Sequence, residues 1–405
     1  MKGKILLMLG LLASVSWQAQ TKILFDATKA ESAGNADWVI DADVHNLYFS
    51  STGVATTGTQ SNPQRIPTPA QSSINAATPE TYWQGALSYW GIDLVRQGYV
   101  VETLPYNGSI TYGNSSNPQD LSNYKVFIID EPNIKFTASE KTAMLNFVSN
   151  GGGLFMISDH NQSDRNNDGW DSPAIWNDFF TSNGVISNPF GISIDLNNVS
   201  PSTSNFAPVN TNPTILSGPQ GNPTQMKFSN GATMTLNRSA NSSVQGLVFT
   251  TGSSNTGTTN VMFATATYGN GKVCVLGDSS VPDDGTGDPN DTLYNGYAAD
   301  ANGNHRPLLV NSVVWLATPS NLAVKEDLIA KDRRAEVYPN PAADYVYVRN
   351  QQYKTYNITD EAGKIAASGA IQENGFIDIR SLSAGVYYLR LQSDKDVQST
   401  KLIKK

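Results

Sequence analysis

The chain contains a single cysteine in 405 residues, Cys274. No intrachain disulfide can form, and no cluster of thiolates can hold a metal. Cys274 stands inside the apolar run VCVLG, where a thiol behaves as a small buried hydrophobe. Charged residues are also scarce, at 15 %, and no basic stripe interrupts the net charge of −8. Such a surface repels phosphate backbones and excludes nucleic acid as a partner. Histidine is confined to His45, His160 and His305, and the G-x-S-x-G elbow of serine hydrolases is missing. Past the first twenty residues no apolar run is long enough to span a bilayer.

Those first residues, MKGKILLMLGLLASVSWQAQ, place two lysines before a short apolar run and small or polar residues after it. This is the pattern of a secretory signal peptide, residues 1–20. No cysteine follows the expected cleavage point, so a lipid anchor is not indicated.

What is abundant is Asn, Ser, Thr and Gly, which suits a secreted, loop-rich protein. Residues 21–318 read as an α/β domain. Apolar strands such as KILFD, VFIID and GLFMI alternate with helical patterns. Thr137 and Glu140 fit a capping box at the start of one helix, and Asn150-Gly151 fit its end. The pattern predicts a mostly parallel, flavodoxin-like sheet with helices on both faces and long loops. Residues 187–245, poor in apolar anchors, read as long loops with short strands. Residues 319–334 form a charged linker. From 335 to 405 short alternating strands predict a small all-β sandwich.

The chemistry gathers where strands end. In GGGLFMISDHNQSDRNNDGWDSP, residues 151–173, an apolar strand stops at Asp159 and His160. Asp26, Asp130, Glu131 and Asp278 also stand at strand ends. Ligands of open α/β sheets bind at that edge, so these groups are expected to share one rim. Crowded carboxylates raise one another's pKa and supply a general acid, and His160 suits a general base. Asp159, His160 and Asp278 are the expected catalytic groups, with Asp130, Glu131, Trp170 and His305 as substrate contacts. The run D-x-N-x-D-G from Asp164 to Gly169 alternates oxygen ligands before a glycine, as calcium loops do. Asp164, Asn166, Asp168 and Asp171 are its expected ligands, and His45 is a further metal-ligand candidate. Convergence of His45, His160 and His305 with Asp159 or Asp278 would make a site for zinc or another divalent metal. Trp170 and Trp176 flank the Asp-rich loop and suit stacking on sugar rings.

Two resemblances add to this. VYPNPAADYVYV (Val337–Val348), AGVYYLRL (Ala384–Leu391) and the basic end KLIKK resemble the C-terminal sorting domain of cargo of the type IX secretion system of Bacteroidetes. That implies contact with the secretion machinery, export across the outer membrane, and release or surface attachment. FTASEKTAMLNFVSNGGGLFMISDH and ATYGNGKVCVLGDSS resemble segments of the class I glutamine amidotransferase-like superfamily, in its trehalose-utilisation (ThuA-like) and gliding-motility/intraflagellar-transport branches. The amidotransferase nucleophile is a cysteine at a strand-to-helix elbow. None stands there, so glutaminase chemistry is excluded. The closing Gly-His of the trehalose-utilisation branch reads Gly277-Asp278 here, and that branch's tie to sugars implies a carbohydrate ligand. The sequence therefore predicts a secreted, cation-binding hydrolase of an extracellular polymer, a glycan. A non-catalytic glycan-binding or cell-surface protein on the same fold is the alternative.

Overall fold

The computed structural model describes residues 20–33, 36–41, 71–286, 294–298, 300–319, 336–349, 353–361, 363–372, 374–393 and 397–405. His45 and nearly all of the signal-peptide segment lie outside them. The chain divides into two units, Met1–Ser320 and Asn321–Lys405.

The first unit opens with β1 (Lys22–Asp26), a ladder of β2 (Ser32–Ala33) with β3 (Ala36–Asp37), and helix α1 (Ser88–Arg96). Then come β4 (Val100–Leu104), β5 (Val126–Asp130), α2 (Ala138–Ser149), β6 (Gly153–Ile157) and α3 (Ser172–Thr181). The later part contains β7 (Ile192–Ile194), β8 (Ser202–Thr203), α4 (Pro213–Leu216), β9 (Met226–Lys227) and β10 (Met234–Leu236). It closes with β11 (Gln245–Phe249), β12 (Val261–Tyr268), β13 (Gly271–Leu276) and α5 (His305–Ala317).

One sheet organises the unit, in the order β4-β1-β5-β6-β13-β12-β10-β7, with β11 paired to β12. From β4 to β13 every pairing is parallel. Beyond β13 every pairing is antiparallel. The sheet is therefore mixed, with the expected parallel strands on one side. The reversal has a local cause: the Gly269–Asn270 turn joins β12 to β13 as a hairpin, with Gly269 at φ +57°. The antiparallel flank draws on the segment read as loops with short strands.

β5 and β6 are buried along their whole length, which explains their unbroken apolar runs. A side chain added at Gly152 would meet the Phe147 ring of α2, and one at Gly153 would meet Leu316 of α5. Neighbouring residues of a strand point to opposite faces, so α2 and α5 cover the two faces of the sheet. α2 begins as the sequence predicts. The Thr137 side chain accepts from the Glu140 amide at 3.3 Å, and Glu140 Oε2 accepts from the Thr137 amide at 2.8 Å. Trp90 packs between Phe25 and Phe155, with ring centres 5.4 and 5.3 Å away. Trp176, read as a loop aromatic, is instead buried on α3 against Phe136 and Phe179, because its apolar neighbours lie at helical spacing.

In the second unit β14 (Glu336–Tyr338), β15 (Tyr345–Arg349) and β18 (Phe376–Asp378) form one sheet. A second holds β16 (Thr355–Thr359), β17 (Ile365–Ala370), β19 (Gly385–Gln392) and β20 (Val397–Lys404). Val346, Val348 and Ile377 from one sheet join Ile358, Leu389, Leu391 and Leu402 from the other in a common core.

Candidate functional site: a carboxylate cluster at the strand ends

β1 lies between β4 and β5, so the chain leaves β1 to one side and returns on the other. That reversal of strand order marks where open sheets place ligands, at the carboxyl ends of the strands. Asp130 ends β5, Glu131 follows it, Asp159 and His160 follow β6, and Asp278 follows β13. Parallel register brings these ends together.

Glu131 is at the centre. Its backbone has φ +39°, a conformation that costs a non-glycine residue on the order of 1 kcal/mol. Side-chain bonds hold it there. Oε2 accepts from Trp38 Nε1 at 2.7 Å and from Ser279 Oγ at 2.6 Å, while Oε1 accepts from Arg165 Nε at 3.2 Å. Arg165 also donates through Nη2 to Asp159 Oδ2 at 3.2 Å. The same Asp159 oxygen lies 2.7 Å from His160 Nδ1. With Nδ1–H donating to that carboxylate, the lone pair of His160 is on Nε2, which has no protein hydrogen-bond partner among the described residues. Asp278 accepts the Ser280 amide at 2.8 Å and also the Ser229 amide.

The carboxylates are almost wholly buried; only His160 and Arg165 are part-exposed. Burial, then the charge of Asp159, pushes Glu131 up to about 8. Burial, then Asp278, pushes Asp159 up to about 7, and burial pushes Asp278 up to about 6. Asp130 is raised well above its ordinary value by burial and by Glu131, Asp159, Asp278 and Asp283. Neither of its oxygens has a hydrogen-bond partner among the described residues. His160 is lowered, by burial and by Arg165, which keeps the ring neutral near pH 7.

Of the residues singled out from sequence, Asp130, Glu131, Asp159, His160 and Asp278 thus converge. His305 has a different setting. It is buried at the start of α5, with Nδ1 2.6 Å from the Gly296 carbonyl and Nε2 accepting the Lys227 amide at 2.9 Å. It lines a cavity of about 160 Å3 with Ser229 and Ser280, next to Asp278. Trp170 is held under Lys135, whose Nζ lies 3.5 Å from the ring centre.

The Asp-rich loop spends its oxygens on its own main chain. Asp164 accepts the amides of Asp168 (3.1 Å) and Gly169 (2.8 Å), and Asp168 accepts that of Trp170 (2.9 Å). Asn166 anchors the loop by donating to the Asn133 carbonyl at 2.7 Å. Asp171 caps α3 by accepting the Ala174 amide at 2.9 Å, and also takes the Gln162 amide at 2.6 Å. Among the described residues, no group of three or more His, Cys, Asp or Glu side chains is arranged to hold a metal ion.

Arg165, Trp38 and Ser279 are parts of the network that sequence reasoning did not assign. Arg165 carried a readable signal, as the only cation inside an acidic loop beside a rim of carboxylates. Gly277 matters for geometry: an added Cβ would fall 1.9 Å from the Ala232 carbonyl oxygen. Gly277→Ala is expected to destabilise the domain by about 1–3 kcal/mol through overpacking beside Asp278. Urea unfolding measures this, and an unchanged midpoint would mean that the turn yields freely.

Comparison with known proteins gives two findings. Residues 336–405 match a family model described as "Secretion system C-terminal sorting domain". Among solved structures the chain is similar to one titled "mmIFT52 N-terminal domain", at 16 % identity and a TM-score of 0.37, covering 56 % of this chain and 88 % of that one. A cytoplasmic protein from Salmonella typhimurium matches at 14 % identity and a TM-score of 0.35, over 56 % and 85 % of the two chains. A thua-like protein from Parabacteroides merdae matches at 14 % identity and a TM-score of 0.31, over the same shares. No curated protein matches. The sorting domain marks the protein for secretion to the cell surface or the extracellular space, by way of the secretion machinery. No helix among the described residues is long and apolar enough to cross a membrane.

Proposed function

We propose that the protein is a secreted hydrolase that cleaves an extracellular polymer, a glycan, by acid–base chemistry in the strand-end crevice. The observation that carries this reading is the linked set Glu131–Arg165–Asp159–His160, buried at one end and open to solvent at the other. His160, neutral and with a free Nε2, takes a proton from an attacking water or hydroxyl. Asp159 orients the ring and stabilises its charged form. The ring then returns that proton from Nε2 to the departing oxygen, with Nδ1–H held on Asp159 throughout. Arg165 offers its exposed edge to negative charge developing on the substrate.

The test is release of new ends from a panel of bacterial and plant polysaccharides. His160→Gln and Asp159→Asn are each expected to lower turnover about 10²- to 10⁴-fold while the fold is retained. Undiminished cleavage by both variants would place the chemistry elsewhere. Binding without cleavage by the parent would favour the alternative, a non-catalytic glycan-binding protein.

Calcium at Asp164–Gly169 is part of the same proposal, supported by ligand spacing. Binding there requires the loop amides to release their carboxylates. A thermal midpoint that rises with millimolar calcium, and no longer rises in Asp164→Asn, supports the ion. A flat titration removes it.

A further inference from the structure

A groove of about 700 Å3 runs beside α2, between that helix and the loop following β4. Its walls carry Ser109, Thr111, Tyr112, Glu140, Thr142 and Asn146. A smaller hollow of about 100 Å3 shares Tyr112 and continues toward the far end of α2. The volume suits an extended small ligand or a few units of a polymer.

The lining of the larger groove is rich in hydroxyl and amide groups and carries no uncompensated charge. Glu140 is paired with Lys29 Nζ at 2.6 Å and closes the helix cap. In the smaller hollow, Lys125 donates to the Gly151 carbonyl. The Tyr112 ring is pinned edge-on by Phe147, 6.4 Å between centres, and stays part-exposed. The Ser109 hydroxyl, the Tyr112 phenol and the Asn146 amide have no protein hydrogen-bond partner among the described residues. They are donors and acceptors facing a cavity with nothing of the protein to bind.

We propose that this groove binds a neutral, hydroxyl-rich glycan chain, as a site separate from the strand-end crevice. Sugar hydroxyls exchange hydrogen bonds with Ser109, Asn146 and the Tyr112 phenol, and a sugar C–H face lies on the Tyr112 ring. An anionic polymer finds no cation in the lining of the larger groove, and an apolar ligand would leave the polar lining unsatisfied.

Electrophoresis of the full chain through native gels containing starch, laminarin, galactomannan or xylan tests this, with alginate as the anionic comparator. The parent is expected to be retarded by at least one neutral polysaccharide and not by alginate. Asn146→Trp, at an exposed position on α2, fills the groove and should weaken that retardation at least about tenfold. Tyr112→Ala should act in the same direction. Retardation that survives both groove variants, equal retardation by alginate, or none by any neutral polysaccharide overturns the proposal. Cleavage is read separately, so failure of the crevice chemistry and failure of the groove are distinguishable.

Discussion

At pH 8, Asp130→Asn is expected to be more stable than the parent by about 2 kcal/mol or more. The parent buries this carboxylate, 2 % exposed, with no hydrogen bond to either oxygen and four other carboxylates nearby. Asparagine has nearly the same shape, carries no charge, and presents an N–H2 to those surrounding acceptors. The pH dependence follows from the sign of the shift. The folded pKa of Asp130 is raised above the unfolded value of about 4. The folded state therefore holds a proton that the unfolded chain has lost, and stability falls as pH rises from about 4 through the folded value. Glu131 and Asp159, raised to about 8 and about 7, add to the same decline. His160 and His305 are lowered, so their contribution is lost as pH falls below about 6.5, in the opposite sense. The difference between variant and parent isolates Asp130: near zero at pH 4, growing toward pH 8. Denaturant unfolding at the two pH values measures it. A variant less stable than the parent at pH 8 would mean that Asp130 has a stabilising partner in the native protein.

Glu131→Ala is expected to have the opposite effect, a loss of about 3–5 kcal/mol. Truncation removes the acceptor of Trp38, Ser279 and Arg165 together. Trp38 and Ser279 are buried, so their donors lose hydrogen bonds without regaining water. The strained backbone at residue 131 also loses the side-chain bonds that hold it. Glu131→Gln keeps the shape and two acceptor lone pairs, and should recover more than half of the stability. A Glu131→Ala protein as stable as the parent would show that the network is decorative.

Part of this site could be read before any coordinates. Strand ends are marked by the abrupt change from apolar runs to Asp130-Glu131, Asp159-His160 and Asp278, and a parallel sheet puts such ends on one edge. The cap of α2 was equally legible, because Thr137 and Glu140 act within one turn. The network around Glu131 was not. Trp38 and Ser279 reach it from 93 and 148 residues away, and no local periodicity encodes a contact across such a separation. The Asp-rich loop was legible as a turn, but its spacing does not distinguish carboxylates aimed at a cation from carboxylates aimed at the loop's own amides. His305 illustrates the same limit. Its acidic, Asn-rich neighbourhood suggested ligand contact, while the folded chain uses both ring nitrogens on main-chain groups.

The position of β13 has a consequence for folding. It stands between β6, which precedes it by more than a hundred residues, and β12, its hairpin neighbour, and so joins the parallel and antiparallel sides of the sheet. Until residues 271–276 are available, β6 has an open edge and the cluster of carboxylates lacks Asp278. A chain that emerges N-terminus first can finish this domain only when most of it is available to fold. The strand-end carboxylates therefore meet only late in folding, once β13 has docked on β6.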